Sequence, residues 1–248
     1  MAAYRSLCQR FFDADKGFAD DAEVAWYASR LPRAAGPVLE AMCGSGRLLV
    51  PLARAGLHVH GVDDAAAMLA ACEARLAAEG LAAPLFRQDL AALNLPFRYA
   101  AAFVAAGSLQ LFADPRAMRS ALERLRAHLV APALLLLDLV VPDVAQHPPG
   151  APLVEVRAVR LPDGARITLR SETTVDVDNR RLGMRNRYEL RTRDGAVQRE
   201  DEALAMTWLD EEEIGTILRG AGFGDVAILP PAWARGMRGF GVSARAAP

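Results

Sequence analysis

The stretch Val38-Leu39-Glu40-Ala41-Met42-Cys43-Gly44-Ser45-Gly46 is followed by Asp63, seventeen residues past Gly46. A short apolar run ends in an acid, and a Gly-x-Gly turn then opens a helix over 46–55. A second apolar run, Val59 to Val62, ends in another acid. Strand, tight turn, helix and strand in this order hold a nucleoside at the strand ends. Gly44 and Gly46 let the backbone turn sharply and approach a ligand, and Asp63 is placed to accept both ribose hydroxyls.

Which nucleoside is decided by two departures from the dinucleotide pattern. That pattern wants a third small residue after G-x-G-x-x, and here the position is Leu49. Glu40 beside the glycine loop would repel a pyrophosphate, which binds bare N–H groups and positive charge. It would attract an ammonium or a sulfonium. S-adenosylmethionine (SAM) has ribose hydroxyls for Asp63 and a charged amino group for Glu40. A nicotinamide oxidoreductase is disfavoured on the same two residues.

The motif E-x-x-C-G-S-G, with its downstream acid, resembles motif I and the second-strand acid of class I SAM-dependent methyltransferases. The resemblance runs through most of the chain and implies a SAM cofactor held around Met42, Cys43, Gly44 and Gly46. It implies that Asp89, in Gln88-Asp89-Leu90 after the third strand, takes the adenine amine; otherwise Asp89 caps the following turn. Asp64 either shares the ribose or begins a helix, and the helix start is favoured. Met68 packs on an adenine face or in ordinary core. Tyr27 resembles the aromatic that relatives fold over the cofactor, where its ring would stabilise a sulfonium; a plain packing role is the alternative. Arg47 is expected to pair with an acid of the N-terminal segment. The loop Ala105-Ala106-Gly107-Ser108-Leu109-Gln110 is where the methionine end of SAM and the acceptor should meet, with Ala106 at the cofactor and Gln110 either an acceptor contact or a surface residue. This loop carries no Asn-Pro-Pro-Tyr or other charged signature, which argues against a nucleic-acid amino group as acceptor.

The rest of the chain reads as an α/β protein with a doubly wound, Rossmann-like sheet. Residues 1–34 form a helical N-terminal lid. Residues 35–150 and 207–248 form the cofactor domain, with strands at 38–41, 58–62, 84–87, 101–106 and 133–140 and helices at 65–79 and 114–129. Ala133-Leu134-Leu135-Leu136-Leu137 has the continuous apolar character of a strand buried on both faces. Between them, 151–206 alternates with period two and carries turn signals at Asp163-Gly164, Asp178-Asn179 and Asp194-Gly195. That predicts four antiparallel strands, with Val154, Val156, Ile167, Leu169, Val175, Val177 and Leu190 on one apolar face. Such a sheet serves as a lid over the acceptor site or as a homodimer surface. Asp210 with Glu213 predicts the start of a last helix. The layout resembles small-molecule methyltransferases with a β cap, such as sugar N-methyltransferases.

Composition bounds the partners. The chain has 248 residues, 52% hydrophobic, with a formal net charge of −1 and 6% aromatics, so no basic aromatic stripe points to nucleic acid. Cys8, Cys43 and Cys72 lack metal-ligand spacing, and their odd number suits a reducing cytoplasm. His58 and His60, two apart on a strand, read as strand surface rather than a metal pair. The longest apolar run, Leu129 to Val141, is too short to span a bilayer, and the N-terminus has no apolar signal core. The expected partner is a small soluble molecule, with no nucleic acid and no membrane.

Methyl transfer from a sulfonium is a direct displacement governed by alignment and desolvation. His147, Tyr188, Glu189 and Trp208 are the weak candidates for a base near the mouth. A second reading is attack on the 3-amino-3-carboxypropyl arm of SAM, by transfer or by cyclisation to azetidine-2-carboxylate with release of methylthioadenosine. A third is a non-catalytic SAM-binding protein. The cofactor motifs are common to all three.

Overall fold

A computed structural model describes residues 4–33, 36–146, 151–232 and 238–247. Two N-terminal helices, α1 (Ser6–Lys16) and α2 (Asp21–Ala28), precede β1 (Val38–Ala41), α3 (Leu49–Arg54), β2 (Val59–Asp63), α4 (Ala66–Ala78) and β3 (Leu85–Arg87). Then come β4 (Tyr99–Val104), α5 (Pro115–Arg126) and β5 (Leu129–Val141). The second half holds β6 (Leu153–Arg160), β7 (Arg166–Asp176), β8 (Arg181–Arg191), β9 (Val197–Thr207), α6 (Glu211–Gly220), β10 (Phe223–Leu229) and β11 (Arg238–Ala246). Among the described residues, no helix is long and apolar enough to cross a membrane.

The main sheet has seven strands in the order β10-β11-β5-β4-β1-β2-β3. Strands β1 to β5 run parallel, and β11 runs antiparallel to both β5 and β10. The order reverses between β1 and β4, and in open parallel sheets the crevice at such a reversal is where ligands bind. All four residues of β1 are buried, as are Leu135, Leu136, Leu137 and Leu139 of β5, because helices cover both faces.

The elements follow the expected order with shifted ends. Helix α3 starts at Leu49 rather than 46, because Gly44 and Gly46 take φ of +54° and +76° and the chain winds through turns before it becomes helical. A Cβ at Gly46 would stand 2.5 Å from Cys72 Sγ, so this loop sits directly on α4. Strand β4 ends at Val104, which leaves Ala105 and Ala106 beyond the sheet. Strand β5 starts four residues early, at Leu129. Asp210 and Glu213 form the expected capping box of α6. His60 departs from expectation: it is buried among Phe86, Phe97 and Tyr99, with Nε2 3.2 Å from His58 Nε2.

Strands β6 to β9 form a separate antiparallel sheet in sequential order. Its inner face does not use all of the expected valines. Val156 pairs with Arg170 and Val154 with Glu172, whereas Leu169 pairs with Arg157 and Tyr188. Paired residues share a face, so β6 runs in the opposite phase; Val154 and Val156 are 45% and 64% exposed on the outer side. Val177 lies past the end of β7 and is exposed. The buried inner patch is Ile167, Leu169, Tyr188 and Leu190, packed with Leu7, Cys8 and Phe11 of α1 and Ala65 and Met68 at the start of α4. Helix α1 therefore fills the space between the cap sheet and α4.

Carboxylates of β9 fix that helix. Glu200, 7% exposed, accepts from the backbone N–H groups of Leu7 and Cys8 at 3.3 Å each. Glu202 accepts from Tyr4 N at 2.5 Å. The first-turn N–H groups of a helix have no internal partner and carry the positive end of its dipole, so a buried acid belongs there. Glu200→Ala is expected to cost roughly 1–3 kcal/mol, the price of orphaned buried donors. Urea unfolding should show the loss, and amide exchange should speed up first over residues 6–16.

Candidate functional site

A cavity of about 460 Å³ lies at the carboxyl ends of β1, β2 and β4, where the strand order reverses. Glu40, Met42, Cys43 and Gly44 line one wall, Asp63, Asp64 and Met68 a second, and Gln88, Asp89 and Leu90 a third, with Ala106 opposite. Residues spread over nearly seventy positions of sequence thus meet around one space. The backbone is bent to suit it: Met42 and Ala106, neither of them glycine, hold φ of +60° and +57°. Such conformations cost free energy and concentrate at ligand sites.

Glu40 is the most telling group. It is 3% exposed, and its Oε2 has no hydrogen-bond partner among the described residues. Burial pushes its carboxyl well above the usual range, against the pull of nearby Arg47. An unpaired buried acceptor facing a cavity fits a ligand that brings its own donor and positive charge. The amino group of SAM is such a donor.

Asp63 is tied on both sides: Oδ2 accepts from Gly44 N at 2.8 Å and Oδ1 from Ala65 N at 2.9 Å. Burial raises its carboxyl, and those backbone bonds oppose the shift. Each oxygen keeps a lone pair for a ribose hydroxyl, and the same bonds hold the glycine loop. Asp89 accepts from Ala91 N through Oδ1 and so caps the following turn while lining the cavity. The Gln88 amide is spent on the backbone of Asn94. Met68 does both of the things open to it, packing in the core below the cap and lining the cavity. Asp64 does not cap α4, whose N-cap is Ala65 with no side-chain bond; it is an exposed acid on the rim.

Other expected site residues lie elsewhere. Gly46 backs onto Cys72 rather than the cavity. Tyr27 is fully buried, packs on Trp26 and Phe103, and donates its hydroxyl to Asp138 Oδ2 at 2.5 Å. The ring does not line the cavity. The aromatics that reach the cavity among the described residues are Tyr4, Phe12 and Phe112. Tyr188 is buried under the cap, its hydroxyl shared between Cys8 and Glu202; burial raises it far beyond use as a base. Glu189 is occupied by Arg191 and Arg199 on the outer surface. Trp208 is buried and lies outside the cavity wall. Gln110 is neither acceptor contact nor surface: it is 1% exposed and clamps Val140 and Thr207. His147 lies outside the described residues.

Two features hold the site together from behind. Arg47 forms a two-bond pair with Glu23 of α2 at 2.8 and 2.5 Å, as expected. Asp138 of β5 accepts from Tyr27 and, at 2.9 Å, from Gly107 N. It therefore ties α2 to the loop that carries Ala106. An acid inside an otherwise leucine-rich strand was its only signal in the sequence.

Residues 38–131 match a family model described as a methyltransferase domain. This stretch is a methyltransferase domain, consistent with the class I SAM-dependent superfamily. Three solved structures share the fold over nearly the whole chain. The glycopeptide N-methyltransferase MtfA, solved with SAM, is 25% identical, with 94% of this chain and 96% of that one covered and a TM-score of 0.60. SAM-bound CalS10, an amino pentose methyltransferase from Micromonospora echinaspora, is 23% identical, with 93% and 92% covered and a TM-score of 0.69. The sugar N-methyltransferase KedS8 from Streptoalloteichus sp. is 21% identical, with 92% and 88% covered and a TM-score of 0.72. No curated protein matches by sequence. SAM is the cofactor of this domain.

Glu40→Gln should weaken SAM and S-adenosylhomocysteine alike, because both carry the amino group, by roughly 1.5–3 kcal/mol for a bond to a charged group; calorimetry with the two ligands measures it. Asp138 gives a pH signature. Burial lifts its carboxyl to about 7, above the unfolded value of about 4. Folding thus favours the protonated form: its contribution is full below about pH 4 and is lost as pH rises through about 7. Asp138→Asn has no such proton to lose. Wild type should therefore fall in stability relative to the variant across that window in urea titrations at stepped pH.

Proposed function

We propose that the enzyme transfers the SAM methyl group to a neutral nitrogen of a small molecule. The carrying observation is the contrast between the halves of the cavity. The cofactor half holds Glu40, Asp63, Asp64 and Asp89, while the charge of Arg47 is paired with Glu23. The other half is walled by Phe12, Leu111, Phe112 and Leu204, with Ser108 and Tyr4 as its hydroxyls. Burial raises the Tyr4 phenol well above its usual value, so it donates rather than accepts a proton near neutrality. An alcohol or phenol acceptor needs a base in the displacement, and a neutral amine does not.

When bound, SAM supplies an electrophilic methyl on a sulfonium. Glu40 and Asp63 would hold the amino and ribose ends, and Ala106, Gly107 and Ser108 bound the side from which an acceptor approaches. A cavity of negative sign favours cationic and neutral partners and repels anionic acceptors. The apolar walls exclude water from the line of attack. The cap is assigned to covering the acceptor rather than to a dimer contact, because its inner patch is already buried against α1 and α4. The N-methyltransferases among the similar structures support nitrogen as the acceptor atom.

Incubation with SAM and matched acceptors that differ only by amine or hydroxyl at one position checks the reading. Mass analysis should find S-adenosylhomocysteine and a product heavier by one methylene with the amine alone. Methylthioadenosine as the nucleoside product would instead assign the aminocarboxypropyl arm. Equal turnover of amine and alcohol would require a base at the acceptor, whose half of the cavity holds no carboxylate or histidine among the described residues, and would count against this reading.

A further inference from the structure

Strand β9 is the outer strand of the cap, and one short part of its free edge faces the cavity. The ladder to β8 fixes which groups point there. Trp208 N donates to Arg180 O at 3.2 Å and Thr192 N to Ala196 O at 3.0 Å. In an antiparallel pair, bonded and non-bonded pairs alternate, so with the register Thr207 to Arg181 and Val197 to Arg191 the even-numbered residues of β9 bond to β8. The odd-numbered residues turn their N–H and C=O groups outward.

Two of those outward carbonyls are taken. Asp201 O accepts from Arg5 Nη2 at 2.6 Å, and Thr207 O accepts from Gln110 Nε2 at 2.9 Å. Between them lie Ala203 and Ala205, which line the cavity. Their outward groups have no partner among the described residues. The gap thus presents two donors and two acceptors on residues about 6.8 Å apart along the strand. Ala203 and Ala205 are exposed, so their outward groups are open to a ligand, and Leu204, Leu111 and Phe112 flank them with apolar surface.

We propose that this bare edge is a recognition rail for an acceptor that carries an extended amide, an amino-acyl or short peptidyl amine. The proposal rests on the methyltransferase reading and adds the substrate class. An outward strand residue offers its N–H and C=O side by side in one direction. A second extended amide unit answers both groups at once, as a partner strand does. A polyol meets them singly.

The test uses the full chain saturated with S-adenosylhomocysteine, whose own affinity reports the cofactor site separately. The probes are phenylalanyl-alanine N-methylamide and its ester isostere, in which the central N–H is replaced by oxygen. Calorimetry should find the amide bound at least ten-fold tighter. Ala205→Pro removes one outward N–H at an edge position that tolerates proline, and amide affinity should fall at least five-fold while S-adenosylhomocysteine affinity stays. Arg199→Pro removes an outward N–H on the same edge beyond the cavity wall and should leave the amide preference intact. Equal affinity for amide and ester, no binding of the amide to wild type, or tighter binding of a methyl aminoglycoside would each overturn the rail. Loss of S-adenosylhomocysteine binding by wild type would instead count against the methyltransferase reading.

Discussion

The Arg47–Glu23 pair is the contact on which the rest of the site depends. Arg47 belongs to the glycine loop and Glu23 to α2, and Glu23 is 5% exposed. Two charges this far from water stabilise only if both are matched by geometry, and removal of either leaves the other buried and unpaired. The pair meets that condition with two bonds. It fixes α2, α2 fixes Tyr27, Tyr27 holds Asp138, and Asp138 holds Gly107 at the loop opposite the glycine turn. The loops that carry Gly44 and Ala106 on the cavity wall are thus joined through a helix from the N-terminus. Asp13 adds a second tie from α1, with Ser45 Oγ at 2.5 Å and Arg75 at 3.0 Å.

Much of this arrangement was legible in the sequence, for reasons that differ by element. The Gly44–Gly46 turn, Glu40 and Asp63 could be read because their chemistry demands those residue types at that spacing. The cap could be read because alternation and turn residues are local properties. The pairing of Arg47 followed from charge next to an apolar loop. Long-range closure was harder. Tyr27 and Tyr188 belong to segments that do approach the site, but which side of a helix or sheet faces a cavity depends on packing angles that no local pattern records. Asp138 and Gln110 were missed as structural ties because a single polar residue in a buried element becomes informative only once its partners are known. The phase of β6 was misread for a related reason: Val154 and Val156 alternate properly, but the phase of one strand against the next is set by the hairpin, not by the strand.

Buried acids follow a consistent division of labour. Glu200 and Glu202 meet backbone N–H groups at the start of α1, and Asp63 does the same for the glycine loop. In each case desolvation is offset by donors that belong to the chain. Among the buried acids of the described residues, Glu40 alone keeps an oxygen without one. Its burial is thus the one left uncompensated among these carboxylates, and a cationic ligand would remove the penalty by supplying a partner. On the function proposed above, cofactor binding and the relief of a buried acid are one event.

The acceptor side follows the opposite logic. It has no charge to be answered, only hydroxyls, backbone groups and apolar walls, so selection there must come from shape and from hydrogen bonds. A free strand edge usually invites another chain and is blunted by charge or cover. On β9 the blunting is uneven. Arg199 and Asp201 guard one end with charge, Gln110 closes the other, and the Ala203–Ala205 gap between them opens into the cavity rather than onto the outer surface. A full partner strand would have to pass through Arg5 on one side and Gln110 on the other, both already bonded to the edge. The gap is therefore long enough for one or two extended units and no more, and it sets an upper limit on how much of an acceptor this edge can hold.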